Sequence, residues 1–283
     1  MRRSWLSTTR SPAWALWLLA AYTVAAALWF VSPWFPRQSL AGLQAASGGW
    51  VSMTLLASAV IGGVQVLIVL FAGRQRLVDV GWRRGRLAPA VLATLGLWGV
   101  MQLSICIHAL LAGQALELRP AWAAGFGIAL GPLLAQLVGT ALMEETVFRG
   151  YLWPQLAVRF SRHVSPGVAL WIGLLVSQAV FGLLHIPIRI HGGAGPAELA
   201  SMVTMLFVTG LVFALVYAAT RNLFVAVGAH ALGNAPTLLF VPQGPAPMMV
   251  LLAAVLLLSL VWWQHRRERQ YGIRQPGLTL APM

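Results

Sequence analysis

Apolar residues fall along this chain in long blocks separated by short polar intervals. Eight blocks approach or exceed the roughly 20 residues that a helix needs to cross a bilayer: 13–31, 50–72, 88–112, 121–146, 167–186, 199–219, 222–240 and 247–263. Their ends carry matching punctuation. Trp14, Trp17, Trp29 and Trp34 bracket the first block, and Trp262 and Trp263 close the last, where amphipathic rings suit the membrane interface. Pro33, Pro36, Gly48, Gly49, Pro120, Pro166, Pro187, Pro196, Pro242 and Pro245 lie between blocks, where a broken helix does little harm. The pattern predicts an all-α polytopic membrane protein of about eight transmembrane helices.

Composition strengthens this reading. Of 283 residues, 59% are apolar and 9% charged, against about 45–50% and about 25% in soluble domains. Six acids and nineteen bases cannot cover a soluble fold of this size, which excludes a soluble enzyme, a secreted disulfide scaffold and a disordered chain. The single cysteine, Cys106, leaves no disulfide or CxxC metal site; inside an apolar block it reads as a small packing residue.

The formal charge of +13 comes from arginine alone, because the chain has no lysine. Arg2, Arg3 and Arg10 precede the first block, and Arg74, Arg76, Arg83, Arg84 and Arg86 lie between the second and third. Arg149, Arg159 and Arg162 lie between the fourth and fifth, Arg221 between the sixth and seventh, and Arg266, Arg267, Arg269 and Arg274 follow the eighth. Eight crossings put all sixteen on one side and leave Arg37, Arg119 and Arg189 on the other. By the positive-inside rule both termini are cytoplasmic. The basic balance therefore reports topology and a lipid bilayer, not nucleic-acid binding, and the expected location is the inner membrane. The first block competes with a signal peptide, but its length and the lack of a clean small-residue cleavage site favour a retained span. Residues 1–265 read as a single integral membrane domain with its motif-bearing core at about 121–240, and 266–283 as a short basic cytoplasmic tail.

Ionisable groups inside spans are functional candidates, because burying one costs several kcal/mol. Asp79, Glu117, Glu198 and Glu268 fall at loops or block ends. Glu144 and Glu145 stand together at the end of an apolar run, His185 ends another, and His230 lies inside a third. Helix geometry separates the two glutamates, since neighbours point about 100° apart and i,i+4 residues share a face. Glu145 and Arg149 are four apart and form an ion pair. Glu144 has no such companion and must find one on another helix, which suits a general base. His230 with Asn234, and Phe181 with His185, are also four apart. An antiparallel hairpin turning near Pro166 brings Glu144 and His185 to one level, with 149–165 as a helical extension and the site partway in from the cytoplasmic face. His108 has no polar companion and reads as a packing residue, and Gly127 with Gly131 as a close-packing GxxxG pair.

Three motifs result: MEETVFRG carries EExxxR (Glu144, Glu145, Arg149), FGLLH carries FxxxH (Phe181, His185), and HALGN carries HxxxN (His230, Asn234). In this order, on separate apolar helices, they resemble the CPBP family of intramembrane endopeptidases, also called ABI proteins, whose best-known members are the type II CAAX prenyl proteases. The resemblance covers roughly 121–240. It implies an eight-helix fold and a glutamate mechanism without metal or other cofactor. Glu144 would activate a water that His185 helps to hold, His230 and Asn234 would stabilise the oxyanion, and Glu145, Arg149 and Phe181 would give structural support. An arginine-rich, lysine-free chain suits a high-GC bacterium, so a peptide or membrane-protein substrate is expected in place of a prenylated one. Three alternatives stand beside this reading. One is a zinc site built on the glutamate and two histidines, although there is no HExxH. The others are a bacteriocin-immunity or partner-binding protein of the same fold, and a proton-coupled transporter, which would call for inverted repeats.

Overall fold

The structure, a computed structural model, describes the backbone of residues 9–271 and the side chains of 9–267. Arg2, Arg3, Arg274 and the side chains of Glu268 and Arg269 lie outside the described residues. The chain is a multi-pass helical membrane protein, with no strand among the described residues. Without water, a backbone in lipid must satisfy its own hydrogen bonds, so each apolar block closes into a helix. In order these are α1 (Ala13–Val31), α2 (Arg37–Ala46), α3 (Met53–Leu67), α4 (Leu87–Ala112), α5 (Pro120–Ala124), α6 (Phe126–Val138), α7 (Thr140–Glu145), α8 (Trp153–Phe160), α9 (Pro166–Leu183), α10 (Ile186–His191), α11 (Pro196–Thr220), α12 (Leu223–Asn234) and α13 (Pro247–Tyr271). Local signals set several ends. The Ser52 hydroxyl accepts from Leu55 N and the Asn222 side chain from Phe224 N, capping α3 and α12. Gly113, at φ 63°, ends α4 in the left-handed conformation.

Seven helical stretches among the described residues are long and apolar enough to cross a membrane. The seventh predicted crossing, 222–240, is different: α12 has only 12 residues, or ~18 Å of rise. It falls short of the expected spanning helix, and non-helical chain, 235–241, follows it. Its polar backbone is met by protein: Trp98 Nε1 donates to Thr237 O and Trp122 Nε1 to Leu238 O. Leu239 N donates to Gln102 Oε1, and Phe240 bridges to Leu118. Irregular backbone at membrane depth is tolerated where protein buries it in this way. The apolar pattern could not distinguish this from a helix, since the segment's composition is the same.

The fourth predicted span, 121–146, is also longer and more broken than its pattern suggests. A stack from Phe126 to Phe160 covers 35 residues, more than a bilayer requires. It breaks at Gly139 between α6 and α7 and passes through a π-helical stretch, Thr146–Leu152, before α8. π-Helical turns inside helices recur at functional sites. Helical structure continues beyond 149 as far as Phe160, and α8 packs back against α9, with Trp153 Nε1 donating to Leu170 O.

Gly127 and Gly131 pack against backbone. A Cβ on either would collide with the carbonyl oxygen of Gly48 or Gly49, so this GxxxG face seats the loop before α3, not a facing helix. Gly131→Ala is expected to cost about 1–3 kcal/mol by overpacking, read as a lower unfolding temperature of the purified protein. Gly42 in α2 has nothing within 4 Å of an added Cβ, so Gly42→Ala should stabilise by about 0.4–1 kcal/mol. Equal effects at the two sites would refute this packing account.

Candidate active site

Arg149, on the π-helical stretch that continues α7, is the buried arginine among the described residues. Arg149 and Glu145 are both fully buried, and Arg149 Nη1 lies 3.0 Å from Glu145 Oε1. Arg149 Nη2 also donates to Gly210 O at 3.1 Å on α11. Aromatic faces enclose the rest: its Cζ is 4.7 Å from the Phe181 ring centroid and 6.0 Å from that of Phe213. A buried ion of this kind persists only when paired and hydrogen-bonded.

The same carboxylate oxygen reaches a third helix. His230 Nδ1 on α12 is 2.8 Å from Glu145 Oε1. A carboxylate paired with Arg149 accepts, so Nδ1–H donates and Nε2 is the ring nitrogen left for other work. The ring is fixed from both sides, stacked on Phe213 at 4.8 Å and 18° and edge-on to Phe181 at 6.2 Å.

Glu144 faces away from this chain of charges. It is 23% exposed, with Oε2 3.6 Å from His230 Nε2 and Oε1 4.0 Å from His185 Nε2. His185 sits at the corner between α9 and α10, and its Nδ1 lies 2.8 Å from Phe181 O. A carbonyl only accepts, so Nδ1 carries a proton, and Nε2 is the ring nitrogen that faces Glu144. The hairpin of α8 and α9 has brought the two motifs to one level. Glu144 is seven residues from Tyr151, ~10 Å of helix. Tyr151 stands beside Gly73, to whose carbonyl Ser11 donates at the arginine-rich end.

Glu144 and His185 open into a cavity of about 330 Å³ between α1, α3, α7 and the α9–α10 corner. Phe30, Ile61, Met143 and Leu184 give it apolar walls, and Thr23 and Gln65 a polar patch. On the other side, Trp82 Nε1 donates to Thr146 Oγ1 at 2.8 Å, and the loop before α4 packs on the π-helical stretch.

Six of the seven motif residues thus form one cluster. Asn234 stands apart: it is exposed, one turn beyond His230, and its amide donates to Gln136 Oε1 on α6 at 3.0 Å. Sequence reasoning passed over Phe213, Gly210 and Gln136. Gly210 and Phe213 are three apart on α11 and so share a face. That spacing was the available signal, but glycine and phenylalanine in an apolar span announce no chemistry. Among the described residues, no group of three or more His, Cys, Asp or Glu is arranged to hold a metal ion.

Removing one member of a buried pair strands the other. Glu145→Leu or Arg149→Met should therefore each cost about 3–5 kcal/mol. The double variant should lose less than the sum, because the two charges are coupled. Thermal unfolding of the four proteins checks this, and simple additivity would refute the pairing.

The family model described as type II CAAX prenyl endopeptidase, Rce1-like, matches residues 126–236. No curated protein and no solved structure matches the chain. The matched segment runs from α6 through α12 and holds all seven motif residues, so the core of this membrane protein is similar to the type II CAAX prenyl endopeptidases.

Proposed function

We propose that the protein is an intramembrane endopeptidase in which Glu144 activates a water for attack on a peptide bond. The observation that carries this is the disposition of Glu144: its two oxygens face two different imidazoles at 3.6 and 4.0 Å, beside an open apolar cavity. Both separations exceed a direct hydrogen bond and suit a water held between Glu144 and His185 Nε2.

In the proposed reaction Glu144 takes a proton from that water as its oxygen bonds to the substrate carbonyl carbon. The carbonyl electron pair moves onto oxygen, where His230 Nε2, when protonated, donates to it. The second N–H of Asn234 is the further candidate donor, since one already serves Gln136. Collapse of the intermediate breaks the C–N bond, and Glu144 returns the proton to the leaving amine. Glu145, paired with Arg149, accepts from His230 Nδ1–H and so turns Nε2 toward the reacting atoms, and Phe181 orients both imidazoles. The cavity between α1 and α3 takes the apolar part of a peptide or membrane-protein substrate. Orientation follows the arginine bias: the arginine-rich end and both termini face the cytoplasm, in a bacterial inner membrane. The scissile bond then lies ~10 Å in from that face. No step requires a metal.

The test compares membrane peptides from cells carrying the wild-type protein, Glu144→Gln, or a gene deletion. Wild-type-specific fragments should vanish in Glu144→Gln as in the deletion, matching the 10²–10⁴-fold that a positioned base contributes. If Glu144→Gln and wild type give identical peptides that differ from the deletion, the protein acts as a scaffold or immunity factor. Cleavage by purified protein should survive a chelator, and its loss there would favour the zinc reading.

A further inference from the structure

The arginine-rich end carries a second cavity, of about 530 Å³, remote from Glu144. Arg86, Thr220, Val261, Trp262, His265 and Arg266 line it. Three segments therefore converge: the start of α4, the end of α11, and the point where α13 passes from apolar to basic sequence. Arg221, adjacent to Thr220, and Arg86 both act electrostatically on Arg266. Among the described residues no carboxylate lines the cavity. Asp79, the described acid at this end, is already held by Arg76, through backbone N, Nε and Nη2 at 3.0 Å each.

Topology alone explains arginine on this face but not two mutually repelling guanidiniums, Arg86 and Arg266, converging on one hollow with Arg221 close enough to act on Arg266. Arg266 uses one donor on Ala218 O at 3.4 Å, leaving others of its five. The walls are mixed. Trp262 and Val261 give an apolar floor, and below them Leu256, Leu257 and Leu260 are exposed along α13. A cationic rim above an apolar, lipid-facing helix matches an amphiphile with a phosphate at its polar end.

We propose that this cavity binds the phosphate group of an acidic phospholipid, gripped by Arg86 and Arg266 with Arg221 at the rim, its acyl chains lying along α13. Arginine suits the task because its planar fork meets phosphate oxygens in pairs.

The test uses the full-length protein in detergent, titrated with short-chain phosphatidylglycerol, phosphatidylcholine of the same chain length, or inorganic phosphate. Native mass spectrometry reads the bound lipid, and thermal unfolding reads the stability shift. Phosphatidylglycerol should bind saturably and raise the unfolding temperature, well ahead of the other two. Arg86→Gln should weaken it about fivefold, and Arg86→Gln with Arg266→Gln about thirtyfold, at the usual worth of an arginine near an anionic headgroup. Arg86 is exposed, so the single change should leave the lipid-free unfolding temperature unaltered and keep the test valid if the double variant misfolds. Arg10→Gln with Arg162→Gln removes the same charge from exposed positions at the same end and should leave affinity unchanged. The proposal falls if phosphatidylcholine binds as tightly, if inorganic phosphate does, or if the control pair loses as much as the cavity pair.

Discussion

A single buried guanidinium organises the polar interior. Arg149 cannot shed its proton, so everything within reach must compensate for its charge. Glu145 supplies the countercharge, Gly210 a carbonyl, and Phe181 and Phe213 their ring faces. These come from α7, α11 and α9, and Glu145 passes the constraint on to His230 in α12. Four helices are thus tied together by one ion. The arrangement also separates two adjacent carboxylates that sequence alone makes equivalent. Glu145 is spent on neutralisation, while Glu144 is left partly exposed beside a cavity and free to exchange protons in the proposed reaction.

Around this knot the helices are held by closeness. Lipid tails are as apolar as leucine, so burial of apolar surface between spans adds little, and contact distance becomes decisive. Small residues provide it. A Cβ on Gly62 would run into Met143, the residue before Glu144, and one on Gly173 would meet the backbone of α8 at Ala157. On Gly228 it would strike Thr94 of α4. Each glycine fixes how near a neighbouring helix can come to a motif-bearing one, and through that the spacing of Glu144, His185 and His230.

Much of this was legible in the sequence, and the reason differs by residue. Glu145 and Arg149 were readable because an i,i+4 pair lies within one helix. His185 was readable because the hairpin turn at Pro166 is marked and residue counts give its level. The aromatic cage was not readable: Phe213 and Phe181 acquire their function from helices meeting, and no local pattern encodes that. Gln136 is likewise an ordinary polar residue until α6 and α12 come together and it receives the Asn234 amide. The break at Gly139, the π-helical stretch and the half-length α12 were hidden for another reason. Apolar composition measures the preference for lipid and says nothing of how the backbone satisfies itself there.

The non-helical half of the seventh crossing has a consequence for biogenesis. A helix can enter lipid with its backbone already satisfied, but residues 235–241 cannot, because their donors and acceptors are met by Trp98, Gln102, Arg119 and Trp122. This stretch therefore has no stable place in the bilayer until α4 and the α5 region are in position to receive it. The segment that carries His230 and Asn234 is thereby obliged to assemble late. The protein gains a built-in order of maturation: its would-be chemical centre is completed only once the surrounding membrane scaffold exists.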